Sequence, residues 1–348
     1  LAAKIDAAIT NGLYWLAAQQ KEDGSWSNRG FPALTALPLQ CFIGGDHPRK
    51  KAIMEKGLKF ILSHVQKDGG IYRSSIIPGR GGLGNYNTSV CMTTLHALGD
   101  PAHKPVILNA RQYVADSQLT GDDTNAGGFG YGQGGWRRST DLMNTLHSVE
   151  AMRMTQDVED QRQGKRVDLN WEKAVKYIEQ LQNKPEAGTN EAGGFFYKPG
   201  YSSAGTTNTP QGVVVFRSYG SITYVGLLAL VYSNVPKTDP RVLSTYDWAV
   251  RHWSLEENPG LGNEGMYFFY HVLSRALTSF GQPVIPRKDG AGINWKAALA
   301  EKLISLQKVD KESGLKYWIN ETGRYWENDP VLVTSYTIIA LESILKQK

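Results

Sequence analysis

Polar and apolar positions fall along the chain in blocks that predict helices in pairs. One helix of a pair carries charge on a single face. Residues 48–65 place Lys50, Lys51, Glu55 and Lys59 together, and residues 171–182 do so with Glu172, Lys173, Lys176 and Glu179. Such a helix is half solvated. The helix that follows is apolar most of the way round. Six such segments can be placed, at 32–43, 87–98, 140–154, 221–232, 266–280 and 331–345. A helix without a polar face is buried. The pattern therefore predicts an outer ring of amphipathic helices around an inner ring of apolar ones. That is an all-α (α/α)6 toroid of six helical hairpins, a single domain over residues 1–348. An open solenoid would need polar end repeats, and neither end reads as one.

A recurring turn joins the two helices of each pair. It contains glycines followed by an aromatic: Gly24-Ser25-Trp26, Gly69-Gly70-Ile71-Tyr72, Gly127-Gly128-Phe129, Gly193-Gly194-Phe195, the Gly260–Tyr267 stretch, and Gly314 to Trp318. The spacing of about 45 to 70 residues is longer than in simple solenoids. The glycines supply positive φ, and the aromatics fill the space between neighbouring hairpins. Residues 201–211 read as a long surface loop. Residues 156–167 and 283–292 read as charged or turn-rich connections.

Composition changes this picture little. Of 348 residues, 41% are hydrophobic and 20% charged, an ordinary globular balance. A net charge of +5 is spread along the chain, with no basic run interleaved with aromatics, so nucleic acid is not an expected partner. Cys41 and Cys91 belong to no Cys/His cluster. No metal and no cofactor is expected. No transmembrane segment is expected either, because the longest apolar stretch is broken by Arg217, Ser218, Tyr219 and Gly220. A chain opening at Leu1 rather than Met fits an exported protein freed of its signal peptide, or else a trimmed cytoplasmic one.

The turns carry a family resemblance. Gln20-x-x-x-Gly24-x-Trp26 resembles the Gln-x-x-x-Gly-x-Trp repeat of the squalene and oxidosqualene cyclases, and Gln66-x-x-x-Gly70-x-Tyr72 repeats it with Tyr. Gly127–Phe129 and Gly193–Phe195 are similar to turns of protein prenyltransferase β subunits. Segments 85–89, 217–224 and 257–260 look like a bacterial squalene-cyclase-like group with prenyltransferase/squalene-oxidase repeats. The resemblance covers the whole chain and implies the toroid, a central pocket and an isoprenoid or other apolar ligand. The marks of the known chemistries are missing. There is no Asp-x-Asp-Asp acid, no Asp-x-Cys zinc context and no Gly-Cys-Gly-Glu-Gln thioester segment. Asp122-Asp123 reads as a solvated turn pair.

Candidate chemistry lies on the inner helices. Asp141, Asn144 and His147 follow one another at i, i+3 and i+6, and Tyr267 and His271 are i, i+4. His271 with Tyr267, or His147 with Asp141, could move protons near neutral pH. Asn87, Asn144, Tyr219, Tyr224, Glu264, Asp329 and Tyr336 are the expected pocket residues. Asp141 and Asp329 also read as helix caps. Aromatics gather at the turns and inner-helix starts, among them Trp26, Phe129, Tyr131, Trp136, Tyr197, Phe268, Trp318 and Trp326. They suit an apolar pocket, or else cement neighbouring repeats. Three functions stay open: a terpene-cyclase-like toroid for an apolar small molecule or lipid, a non-catalytic module for a protein or glycan, and a carbohydrate-active enzyme using Tyr, His and carboxylates.

Overall fold

Helices follow one another in chain order as α1 (Ala2–Gln19), α2 (Ala33–Gly44), α3 (Lys50–Leu62), α4 (Gly84–Ala97), α5 (Lys104–Asp116), α6 (Leu142–Met154) and the short α7 (Gln156–Glu159). After these come α8 (Trp171–Gln180), α9 (Gly220–Tyr232), α10 (Pro240–Arg251), α11 (Met266–Phe280), α12 (Trp295–Ser305) and α13 (Pro330–Leu345). The structure, a computed structural model, describes residues 1–74, 83–132, 139–287, 290 and 292–345. Trp136 lies outside the described residues.

Helices α2, α4, α6, α9, α11 and α13 pack side by side in that order, and α13 packs back on α2, so the inner ring is closed. The remaining long helices stand outside. Helix α3 packs on α2, α5 on α4, α10 on α9, and α1 on α13, and α1 also meets α12, which joins the last outer helix to the first. Burial follows from composition. Every residue of α9 from Gly220 to Leu230 is buried, whereas α8 buries only Ala174, Tyr177 and Ile178. The architecture is an (α/α)6 toroid.

The turn residues act as clasps between repeats. Gln20 donates from Nε2 to the Ile53 carbonyl of α3 at 2.9 Å, Gln118 to Asn170 at 3.0 Å, and Gln182 to Arg241 of α10 at 2.8 Å. Gln307 donates to the Ala8 carbonyl of α1 at 3.0 Å, which ties the last repeat to the first. Each clasp crosses to the next outer helix or its first residue and gives a backbone carbonyl there a partly buried donor. Gly127 shows why the turn needs glycine. Its φ is +86°, and a Cβ there would lie 2.1 Å from the Lys173 carbonyl oxygen.

The plugging aromatics are fully enclosed: Trp26, Phe129, Phe195 and Trp318 are each 0% exposed. Their backbone N–H groups are satisfied by inner-helix threonines. Trp26 donates to Thr35 Oγ1 at 3.2 Å, Phe129 to Thr145 at 3.2 Å, Phe195 to Thr223 at 3.0 Å and Trp318 to Thr334 at 3.0 Å.

The connections depart from expectation. The predicted loop at 201–211 runs into an antiparallel hairpin, β1 (Thr206–Asn208) with β2 (Val214–Phe216), in the register Thr206 to Phe216. Gly212 at φ +80° allows the reversal. The stretch 283–292 contributes β3 (Val284–Pro286), paired with β4 (Gly292–Asn294). A third pair, β5 (Lys308–Val309) with β6 (Lys316–Tyr317), frames the sixth turn. The charged connection at 156–167 is partly interior. Glu159 is 2% exposed and accepts from Arg111 Nε at 2.9 Å, Arg162 Nε at 2.7 Å and Val167 N at 2.7 Å.

Candidate functional site

A cavity of about 400 Å³ opens where the inner helices begin. It falls within the roughly 300–1,000 Å³ range of small-molecule sites. Among the described residues, ten of its twenty-one lining residues are aromatic and seven of those are tyrosines. Six more are aliphatic, including Leu34, Leu83, Ile222 and Leu332. Arg324 is the one charged group among them, and its guanidinium donates to Glu264 Oε2 at 2.7 Å.

The rim is built from turn residues. Tyr131, Tyr201, Tyr325 and Trp326 are each 44–49% exposed. The Tyr131 and Tyr197 hydroxyls lie 3.2 Å apart, and Trp326 meets Phe31 edge-on with 5.2 Å between centroids. Tyr325 and Trp326 adopt φ of +59° and +66°, a left-handed backbone that costs L-residues about 1–2 kcal/mol each. Glu327 anchors this turn. Its carboxylate is fully buried and accepts from Phe268 N at 2.7 Å and Asn320 Nδ2 at 2.6 Å. Burial raises its pKa.

The floor is a pair of phenols, Tyr86 of α4 and Tyr336 of α13, hydrogen-bonded to each other. Polar groups continue below them along the ring axis. His147 meets Tyr86 edge-on at 5.0 Å, and the His271 ring lies 4.9 Å from that of Tyr336. Arg275 then crosses the ring from α11 to Glu150 on α6, and also reaches Tyr232 OH at 3.5 Å. Arg275 Nη1 is 3.3 Å from His271 Nε2. Arginine only donates, so that nitrogen accepts and His271 is the neutral tautomer with its proton on Nδ1. Burial, with Arg275 adding to it, holds the His271 pKa well below its ordinary value. Burial lowers that of His147 to about 3. This cluster closes the funnel from below.

The predicted residues divide around this cavity. Asn144, Tyr219 and Tyr336 line it. Asn87 ties α4 to the start of α2, its Oδ1 accepting from Ala33 N at 3.0 Å. Tyr224 packs on Phe269 at 5.8 Å, behind the wall. Glu264 holds Arg324 at the rim. Asp329 accepts from Val331 N at 2.9 Å at the start of α13, and also from the Ser27 hydroxyl.

Of the four residues considered for proton transfer, none lies in the cavity wall. His147 and His271 sit beneath the floor, and Tyr267 packs against Tyr270 at 5.9 Å. Asp141 sits just behind the wall. It caps α6, accepting from Asn144 N and Nδ2, both at 2.8 Å, and its carboxylate also meets the Tyr197 hydroxyl. Burial raises its pKa to about 6, against those hydrogen bonds.

Sequence reasoning had no grip on Phe31, Tyr86, Tyr201 and Tyr325. Their shared signal is position: Phe31, Tyr201 and Tyr325 lie between a glycine turn and the inner helix that follows it, and Tyr86 lies in the first turn of α4.

No protein-family model matches the sequence, and no curated protein matches it. Solved structures do. One is the GH76A alpha-1,6-mannanase from Salegentibacter sp. HEL1_6, with 11% identity, a TM-score of 0.60 and coverage of 98% of this chain and 99% of that one. An inactive variant of that mannanase in complex with alpha-1,6-mannotriose matches with 11% identity, a TM-score of 0.57 and 98% of both chains. Candida albicans protein geranylgeranyltransferase-I complexed with GGPP matches with 14% identity, a TM-score of 0.57, and 96% and 90% of the two chains. At these identities the likeness is one of fold, and the fold shared by all three is the α/α toroid.

Proposed function

We propose that this toroid binds an extended apolar molecule of isoprenoid type, headfirst, in its aromatic funnel. The carrying observation is the wall. Sixteen of its twenty-one described residues are aromatic or aliphatic, and its one cation is already neutralised by Glu264. Such a surface gains by excluding water from an apolar chain, at about 25 cal/mol per Å² buried. The geranylgeranyltransferase complexed with GGPP lends the reading a precedent within the fold. Asp141, one layer behind the wall, is the carboxyl group in a position to hold a proton. A proton could pass from it to the cavity through the Tyr197 hydroxyl, while His147 and His271 support the floor.

A glycan is the second reading, and the rim favours it. Tyr131, Tyr201, Tyr325 and Trp326 present half-exposed rings of the kind that stack on sugar faces, and the mannanase in complex with mannotriose shares the toroid. Native mass spectrometry of the purified protein, followed by lipid extraction, separates the two. A retained polyprenoid, or a thermal shift with farnesol, supports the apolar reading. A bare protein stabilised by manno-oligosaccharides and not by farnesol overturns it.

A further inference from the structure

A second concave surface lies outside the ring, beside the cavity mouth. It encloses about 820 Å³ between the first turn, the C-terminal half of α3 and the start of the second turn. Arg29, Lys56, Lys59 and Arg73 line it, with His64 and the buried Phe60 at its base. Glu22 and Asp23 are the only carboxylates on its described lining, so four cations face two anions. One of those anions is already used: Asp23 accepts from Ser25 N at 3.0 Å, from Ser25 Oγ at 2.6 Å and from Arg29 at 3.2 Å.

The remaining cations are set apart from their neighbours on the same helix. At the other end of α3, Lys50 donates to the carbonyls of Ile43 at 3.1 Å and Gly45 at 2.9 Å, and Lys51 pairs with Glu55 at 4.0 Å. Lys56 and Lys59 are three residues apart, so they share a face, and neither side chain has a hydrogen bond or ion pair with any described residue. Arg73 has none either, although it reaches across to the first turn. Its Nη1 lies 3.8 Å from where a Cβ on Gly30 would sit. The His64 ring is fixed with Nδ1 2.9 Å from the Phe60 carbonyl, which makes Nδ1 the donor and leaves Nε2 free of that bond. Like charges gathered unpaired in a concavity repel one another, and the field they focus there favours an anion.

We propose that this groove is a binding site for a multiply charged oxyanion, a phosphate or sulfate ester, held by Lys56, Lys59 and Arg73. Two sources share that chemistry, a phosphorylated small molecule and a sulfated sugar. The groove is separated from the funnel by the turn that carries Arg29 on one side and Phe31 on the other, so occupation of one does not require the other.

The test is isothermal titration with two probes, inorganic tripolyphosphate and a heparin-derived sulfated disaccharide, at low and at high salt. Three forms of the protein are compared: wild type, Lys56→Glu with Lys59→Glu, and a control of the same net charge, Lys4→Glu with Lys237→Glu. All four lysines are exposed, so both variants fold. Wild type is expected to bind at least one probe, more weakly as salt rises. The groove variant is expected to bind roughly tenfold more weakly, equivalent to about 1.4 kcal/mol, and the control as wild type does. Binding of tripolyphosphate alone identifies the phosphorylated source, and binding of the disaccharide the sulfated one. No binding of either probe, or an equal loss in the control, overturns the proposal.

Discussion

Arg275 is the sharpest place to perturb the ring. Its guanidinium crosses from α11 to Glu150 on α6, with the two side chains 17% and 9% exposed, so the pair is largely out of water. Arg275→Met keeps most of the stem's volume and removes the charge. Glu150 is then left near the axis with no cation, and deleting one partner of a buried pair costs about 3–5 kcal/mol. Unfolding entropy of about 2.1 cal/mol/K per residue, over 348 residues, gives about 0.73 kcal/mol/K. A loss of about 4 kcal/mol therefore lowers Tm by roughly 5 °C. Calorimetry and urea unfolding on a double-mutant cycle with Glu150→Leu isolate the pair. The double variant is expected to recover to within about 1–2 kcal/mol of wild type, because apolar groups replace a buried pair at little cost. The residue of the loss comes from His271 Nε2, which no longer has a donor. If the single variant loses less than about 1 kcal/mol, or the double is no better than the single, the charge argument fails.

Other outcomes follow from the same geometry. Asp141 has a folded pKa of about 6, above its unfolded value near 3.9. The folded chain thus holds the extra proton, and Asp141's contribution to stability falls by up to about 3 kcal/mol as pH rises from 4 to 6. Urea midpoints should show that slope in wild type and lose it in Asp141→Asn; an unchanged slope would place the titration elsewhere. Thr145→Val leaves the buried Phe129 N–H without its acceptor and should cost about 1–3 kcal/mol, with faster exchange of that amide. Gly127→Ala drives a methyl against the Lys173 carbonyl at a positive φ, and should destabilise by more than the about 1–2 kcal/mol of the backbone term alone. Tyr336→Leu should alter farnesol affinity without abolishing folding, since Tyr336 faces the cavity; equal affinity would remove it from the ligand's path.

The candidate site was legible in kind and not in detail. Aromatics at the turns announced an aromatic pocket, but Phe129 and Tyr131, two residues apart, have opposite fates. Phe129 is sealed between hairpins, and Tyr131 stands half exposed at the mouth. Helical spacing grouped Tyr267 with His271 on one face. They do share that face of α11, but they lie one turn apart along it, so His271 meets Tyr336 while Tyr267 meets Tyr270 instead. Asp141 was legible both as a cap and as a pocket group, and it sits between the two, capping α6 one layer behind the wall. The clasping threonines at 35, 145, 223 and 334 repeat with the fold and escaped notice, because a threonine in an apolar helix carries no periodic signal of its own.

The sequence alone determined the helices, their order and their layering. Helix formation, amphipathicity and glycine turns are local properties, set by residues within a few positions of one another. Closure of α13 onto α2, the depth of the funnel and the choice of which rings line it were decided only by the tertiary structure. Those features depend on how six inner helices rotate about their axes to share one core, and on charges such as Arg275 and Glu150 that meet across 125 positions of chain.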